Sequence, residues 1–213
     1  MTFSVPIAPA GANFKTITLK PDDVQHWYHV YSTEWHPNTA TTFAQGWGDT
    51  RFAPIYQENG APVHTYYAAN GVECAILESV LHDIVLEAPS AFSLDRLQHF
   101  WIATIDIPSA LDLVSFHTAH LPALELSRAQ LIDSLPTHYS KTRTWSQAAY
   151  REVPHAQGIA YGSRRYDANR CVMLFEQRLD MPPFRVVEDR SLALEPRRSE
   201  VIKLLRELDI PVA

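Results

Sequence analysis

RFAPIYQENGAPVHTYYAANGVECAILESVLH, residues 51–82, is the stretch on which the reading of this chain turns. Its middle, APVHTYYAA (61–69), is apolar, aromatic and β-prone, which predicts a strand. Asn70-Gly71 then breaks the pattern. The Asn70 side chain is suited to accept from the first free amides of a helix, with Glu73 reaching back as in a capping box. The helix is expected from about Gly71 to Leu86. Val72, Ile76, Val80 and Ile84 fall on one stripe, with Leu77 and Leu81 beside it. Glu78 and His82, spaced i,i+4, share a different face. A strand that delivers a tyrosine pair and a helix that delivers a carboxylate make one local unit with polar groups at its open end.

Outward from this unit the pattern is mixed. Residues 1–20 are Pro/Ala/Thr-rich and read as an irregular arm, and 21–30 as a short helix running into a strand. Residues 36–50 are rich in turn formers and read as a loop. A strand is expected over 99–107, a helix over 121–134 and a second, short one over 144–151. Residues 157–163 and 171–178 look like strands flanking a polar loop with Ser163, Arg164, Arg165 and Asn169. A last strand is expected at 184–188 and an amphipathic helix at 197–208, with Val201, Leu205 and Leu208 on one side. Without repeats or a convincing linker, one α+β domain over 21–213 behind the arm is the simplest account.

Bulk properties remove several function classes. A chain of 213 residues buries a sizeable core without staples. A formal net charge of −6 and a pI near 5.9 do not favour nucleic acid as a direct partner, because a phosphate backbone needs a basic face. No run approaches the ~20 apolar residues of a membrane span, and the first residues lack the pattern of a signal peptide, so the expected location is cytoplasmic. Cys74 and Cys171 have no metal or CxxC spacing and read as buried thiols in a reducing compartment. His117 and His120 stand at i,i+3 with no evident third ligand, so no metal is expected.

Four residues carry chemistry if they meet. Arg51 offers the planar, permanently charged fork that phosphate oxygens match. Tyr67 offers a flat ring with a polar tip, although Tyr66 competes for the role; spacing to Glu78 favours Tyr67, and strand alternation allows only one of them to face a cleft. The Glu78 carboxylate suits a sugar hydroxyl and a developing positive charge, and Ser163 a ribose oxygen or the tyrosine. Arg164, Arg165 and Arg170 around Ser163 could bind phosphate or an acidic partner, or stand in solvent. Each residue alone has a structural explanation; together they mark a pocket and no more.

The run YYAANGVECAILESVLH resembles the central motif of the RES domain family: Tyr-small-small, a turn, an aliphatic pair before Glu, and His four residues on. Upstream, Asp-Thr-Arg-Phe ending at Arg51–Phe52 resembles the family's Gly-Arg-Trp/Phe-Asn element, and downstream GIAYGSRR resembles the segment with the family serine. The resemblance covers about residues 27–178 and places the family's Arg, Glu and Ser on Arg51, Glu78 and Ser163.

The resemblance implies an ADP-ribosyltransferase-like fold, with small twisted sheets around an NAD cleft flanked by helices. It implies NAD as the substrate and loss of nicotinamide as the first event, with ADP-ribose passing to water, phosphate or a protein. It also implies a toxin neutralised by an Xre-type helix-turn-helix antitoxin. Arg51, Glu78, Tyr67 and Ser163 would form the catalytic set, and His29, His82 and Asn169 would add NAD contacts. The C-terminal helix leaves a homo-oligomer open. Two departures stand out: His29 where many members have arginine, and Ala53 where asparagine is usual. They keep open a second class of reading, a non-catalytic module that binds NAD or an antitoxin.

Overall fold

The computed structural model describes residues 4–85 and 88–213. In chain order its strands and helices are β1 (Thr16–Leu19), β2 (Trp27–Ser32), β3 (Thr65–Ala69), α1 (Val72–Leu77), β4 (Phe100–Asp106), β5 (Leu111–Phe116), α2 (Arg128–Leu131), α3 (Tyr139–Glu152), β6 (Gly158–Gly162), β7 (Arg170–Phe175), β8 (Arg185–Ser191) and α4 (Arg197–Glu207). The class is α+β, as expected. The strands form one sheet in the order β1-β5-β6-β7-β3-β2-β4-β8. Only β5 and β6 run parallel, and α3 lies in the crossover between them.

The sheet is nearly two sheets. β3 pairs with β7 over five residues and β2 with β4 over six, but β2 and β3 share the single pair Tyr28↔Ala69. The halves part beyond that pair. Strand alternation sorts the side chains into two layers. On one face Trp27, Tyr31 and Tyr66 pack with Phe43 and Phe184. On the other, Tyr28, Val30 and Tyr67 border a larger core that contains α1 and the buried face of α3.

Several elements differ from the expectation. Residues 16–19, placed in an irregular arm, form β1 and pair with β5, itself unanticipated. The 21–30 segment begins with only a 3-10 turn at Pro21–Asp23 before β2. The 121–134 helix is a 3-10 turn and the four-residue α2, interrupted at Glu125, whose φ is 57°. The short helix at 144–151 extends to Tyr139–Glu152. Residues 176–178, read as strand, form a 3-10 turn after β7.

The largest difference is at α1, which ends at Leu77 instead of near Leu86; Leu86 itself lies outside the described residues. The Ser79 hydroxyl donates back to the Ala75 carbonyl at 2.5 Å, competing with regular helix bonding. The Leu81 amide reaches the Ile76 carbonyl, and the Arg165 guanidinium takes the carbonyls of His82 and Ile84. Ile76, Val80 and Ile84 are buried all the same, so the apolar stripe foresaw burial but not helicity. Asn70 does not cap α1; its Oδ1 accepts from the Asn169 side chain and the Arg170 amide, both at 2.8 Å, tying β3 to β7.

Candidate functional site

A cleft of about 430 Å³ opens where β2 and β3 part, with Arg51, Tyr67, Glu78, His82 and Tyr139 among its walls. Local anchoring decides how each side chain enters it. The turn before Arg51 is closed by Thr50, whose hydroxyl accepts from the Ala53 amide at 3.1 Å. The helix α3 fixes the other side: Thr142 and Ser146 donate their hydroxyls to the carbonyls of Arg51 and Phe52, each at 2.6 Å. With its backbone held this way, Arg51 has a side chain directed into the cleft and only 5% exposed.

The Arg51 guanidinium is under-satisfied. Its Nε and Nη2 are buried and have no hydrogen-bond partner. Its central carbon lies 5.6 Å from the Tyr139 ring centroid and 6.0 Å from that of Phe52. Among the described residues no carboxylate pairs with it. A buried unpaired donor costs about 1–3 kcal/mol, and more for a charged group, so such an arrangement calls for a ligand or water with acceptor oxygens.

Glu78 shows the opposite pattern on one of its oxygens. It follows the last residue of α1, and its Oε1 accepts from the Ser163 hydroxyl at 2.5 Å, the Arg164 amide at 2.8 Å and the Arg165 amide at 3.2 Å. Two successive backbone amides and a hydroxyl form a nest for that oxygen. Among the described residues Oε2 accepts no hydrogen bond. The carboxylate is thus held by one oxygen and presents the other to the cleft it lines.

Ser163 is fully buried and accepts from the amides of Arg165 at 3.0 Å and Tyr166 at 2.8 Å. It is therefore placed to hold Glu78 and not to touch a ligand itself. Tyr67 enters from β3, its hydroxyl 2.8 Å from that of Thr50. Burial pushes its phenol well above the ordinary tyrosine range, so it stays neutral. Tyr66 points to the opposite layer, where it donates to the Ala40 carbonyl at 2.7 Å. His82 lines the cleft, with Nε2 3.1 Å from the Tyr139 hydroxyl and Nδ1 3.0 Å from Asp83.

Two expected NAD contacts sit differently. His29 borders the cleft, but its ring stacks on Tyr66 at 4.0 Å in the opposite layer. Its Nδ1 donates to the Tyr67 carbonyl at 2.6 Å, and burial lowers its pKa to about 4. It is a neutral wedge at the parting of the sheet and no substitute for a cationic phosphate grip. Asn169 is absent from the cleft wall. It packs so closely on Gly71 that a Cβ there would lie 2.3 Å from its Nδ2, and its carbonyl accepts from the Ser163 amide at 3.1 Å. Its place is behind the serine loop.

The sequence reading missed Thr50, Tyr139 and the amides of Arg164 and Arg165. Backbone donors leave no signature of residue type, and Tyr139 opens a helix whose buried face includes the polar Thr142 and Ser146. Cys74 and Cys171 are free thiols, both buried, with sulfurs 3.7 Å apart. Among the described residues no group of three His, Cys, Asp or Glu is placed to hold a metal ion, and His120 instead meets the Ser115 hydroxyl at 2.7 Å. Among them, too, no helix is long and apolar enough to cross a membrane.

Comparison with known proteins bears on the family and the fold. The RES domain family model matches residues 24–195. The fold is similar to that of a chain in the crystal structure of the M. tuberculosis MbcT–MbcA toxin–antitoxin complex, with a TM-score of 0.58 at 16% identity, over 81% of this chain and 88% of that one. No curated protein matches the sequence.

Proposed function

Since this chain belongs to the RES domain family, we propose that it consumes NAD by breaking the bond between nicotinamide and ribose, passing ADP-ribose to water or phosphate. We propose further that it acts in the cytoplasm as the toxin of a toxin–antitoxin pair, with an Xre-type antitoxin as partner. The fold it shares with a chain of a toxin–antitoxin complex supports that context. The observation that carries the chemistry is the pairing, in one cleft, of a buried guanidinium with two unpartnered donors and a carboxylate anchored by one oxygen only.

The roles follow from charge. Arg51 receives the pyrophosphate oxygens in a site where little water competes, so each charge-assisted bond is strong. Nicotinamide bound to ribose is already cationic and needs no acid to leave. As the glycosidic bond breaks, its electron pair returns to the ring nitrogen and positive charge moves to the ribose. The free oxygen of Glu78 bonds ribose hydroxyls and stabilises that charge; the nest on Oε1 keeps it from turning away. The acceptor oxygen then joins the ribose carbon, and its proton goes to solvent or to Glu78. Tyr67, neutral and tethered to Thr50, offers a ring edge and face to the nicotinamide side. Ser163 acts through Glu78.

Incubating the purified chain with NAD, with and without phosphate, and following products by mass spectrometry tests the proposal. Nicotinamide release with ADP-ribose or its phosphate is the expected result. Transfer of label from NAD to a protein instead would reassign the acceptor, and NAD binding with no nicotinamide release would favour the non-catalytic module.

A further inference from the structure

We propose that Tyr139 is a positioning residue that holds Arg51 ready for phosphate without occupying its donors. The assignment rests on the NAD reading above for its substrate, but on the geometry of the cleft for its physics.

A long guanidinium side chain needs something to fix it, because leaving it free retains rotamer entropy that binding must then remove. A carboxylate would fix it but would also fill the fork that a phosphate needs. At Arg51 the fixing groups are ring faces: Tyr139 at 5.6 Å and Phe52 at 6.0 Å from the guanidinium carbon. A ring face attracts the cation while leaving the N–H groups in its plane unspent. Nε and Nη2 are unspent in this structure.

Tyr139 is itself immobilised. It is buried and opens α3, so its backbone is set by that helix. Its hydroxyl meets His82 Nε2 at 3.1 Å. On the other side of that ring, His82 Nδ1 lies 3.0 Å from the Asp83 carboxylate, which tethers the imidazole at both nitrogens. One turn along the same helix, Thr142 holds the Arg51 carbonyl at 2.6 Å. One turn of α3 therefore grips Arg51 twice, by carbonyl and by side chain. Through His82, four residues after Glu78, the same tyrosine reaches the carboxylate side of the cleft.

The test uses the full chain with two probes: inorganic pyrophosphate, titrated by calorimetry, and NAD, followed as KM and kcat for nicotinamide release. Tyr139→Leu is expected to raise the pyrophosphate Kd and the NAD KM about tenfold with kcat changed far less, within the range of a desolvated cation–π contact. Tyr139→Phe, which keeps the ring, is expected to restore both to within about twofold of the unaltered protein. A purely structural role would not separate KM from kcat in this way. If Tyr139→Leu does not fold, Tyr139→Met fills the volume without a π face and takes its place. The assignment is overturned if the leucine or methionine variant binds pyrophosphate normally, if Tyr139→Phe is as weak as they are, or if the unaltered chain does not bind pyrophosphate. The expected pyrophosphate pattern without nicotinamide release would sink the NAD-cleaving reading and leave the Tyr139 assignment standing.

Discussion

Replacing Glu78 by glutamine is the sharpest probe of this site, because the nest decides which way the amide must turn. Three donors converge on Oε1: the Ser163 hydroxyl, the Arg164 amide and the Arg165 amide. In Glu78→Gln only the carbonyl oxygen can accept from them, so the NH2 group is forced into the place of Oε2 and faces the cleft. The fold keeps its hydrogen bonds while the catalytic end changes from an anionic acceptor to a neutral donor. The loss can be sized by Coulomb's law. A unit charge about 4 Å from the developing cation, at an effective dielectric of about 20, contributes roughly 4 kcal/mol. At 1.36 kcal/mol per tenfold, nicotinamide release should fall about a thousandfold. Thermal unfolding should shift by only several degrees, since all three bonds on Oε1 are kept and change from charge-assisted to neutral. The assay is nicotinamide release by mass spectrometry, with NAD binding by calorimetry on the same preparation. A folded variant that keeps activity within tenfold of the parent would refute the role given to the carboxylate.

Other expectations are independent of that one. Ser163→Ala removes one donor from Glu78 and leaves the Tyr166 amide without its acceptor; denaturant unfolding should show a loss of about 2–4 kcal/mol, and activity should fall less than in Glu78→Gln because two amides remain on Oε1. Arg51→Lys keeps the charge but not the fork, so the NAD KM should rise at least about tenfold with a smaller change in kcat, measured by steady-state kinetics. His29 is neutral in the fold, with a pKa near 4 against 6.5 when unfolded. The unfolded chain binds its proton first on acidification, so stability is intact above about pH 6.5 and is lost as pH falls toward 4, by roughly 3 kcal/mol at most. Urea unfolding at pH 7 and pH 4.5 should show a smaller loss in His29→Gln than in the parent; equal losses would contradict the assignment.

The sequence by itself determined where the main apolar faces lie and which residues to propose for the chemistry. The stripe Ile76, Val80, Ile84 is buried even where helix is absent, because apolar spacing reports a face turned from water and not the bonding of the backbone beneath it. Strand alternation settled that one of Tyr66 and Tyr67 faces the cleft. Resemblance to the RES family brought Arg51, Glu78 and Ser163 together on paper across more than a hundred residues. Tertiary structure decided the rest. At the early end of α1 the Ser79 hydroxyl takes a helix carbonyl, and Arg165, a residue more than eighty positions away, takes the carbonyls of His82 and Ile84 beyond it. The true start of α3 was hidden because its buried face carries Thr142 and Ser146, whose hydroxyls serve the carbonyls of a distant loop. His29 was read as a ligand contact because it stands where many RES members have arginine, but at the parting of β2 from β3 it is a buried wedge. The Glu78 nest is made largely of backbone N–H groups, which every residue but proline has, so no sequence pattern announces it. Hydrophobic pattern is local and survives in the chain; hydrogen-bond partners at long range exist only once the chain has folded.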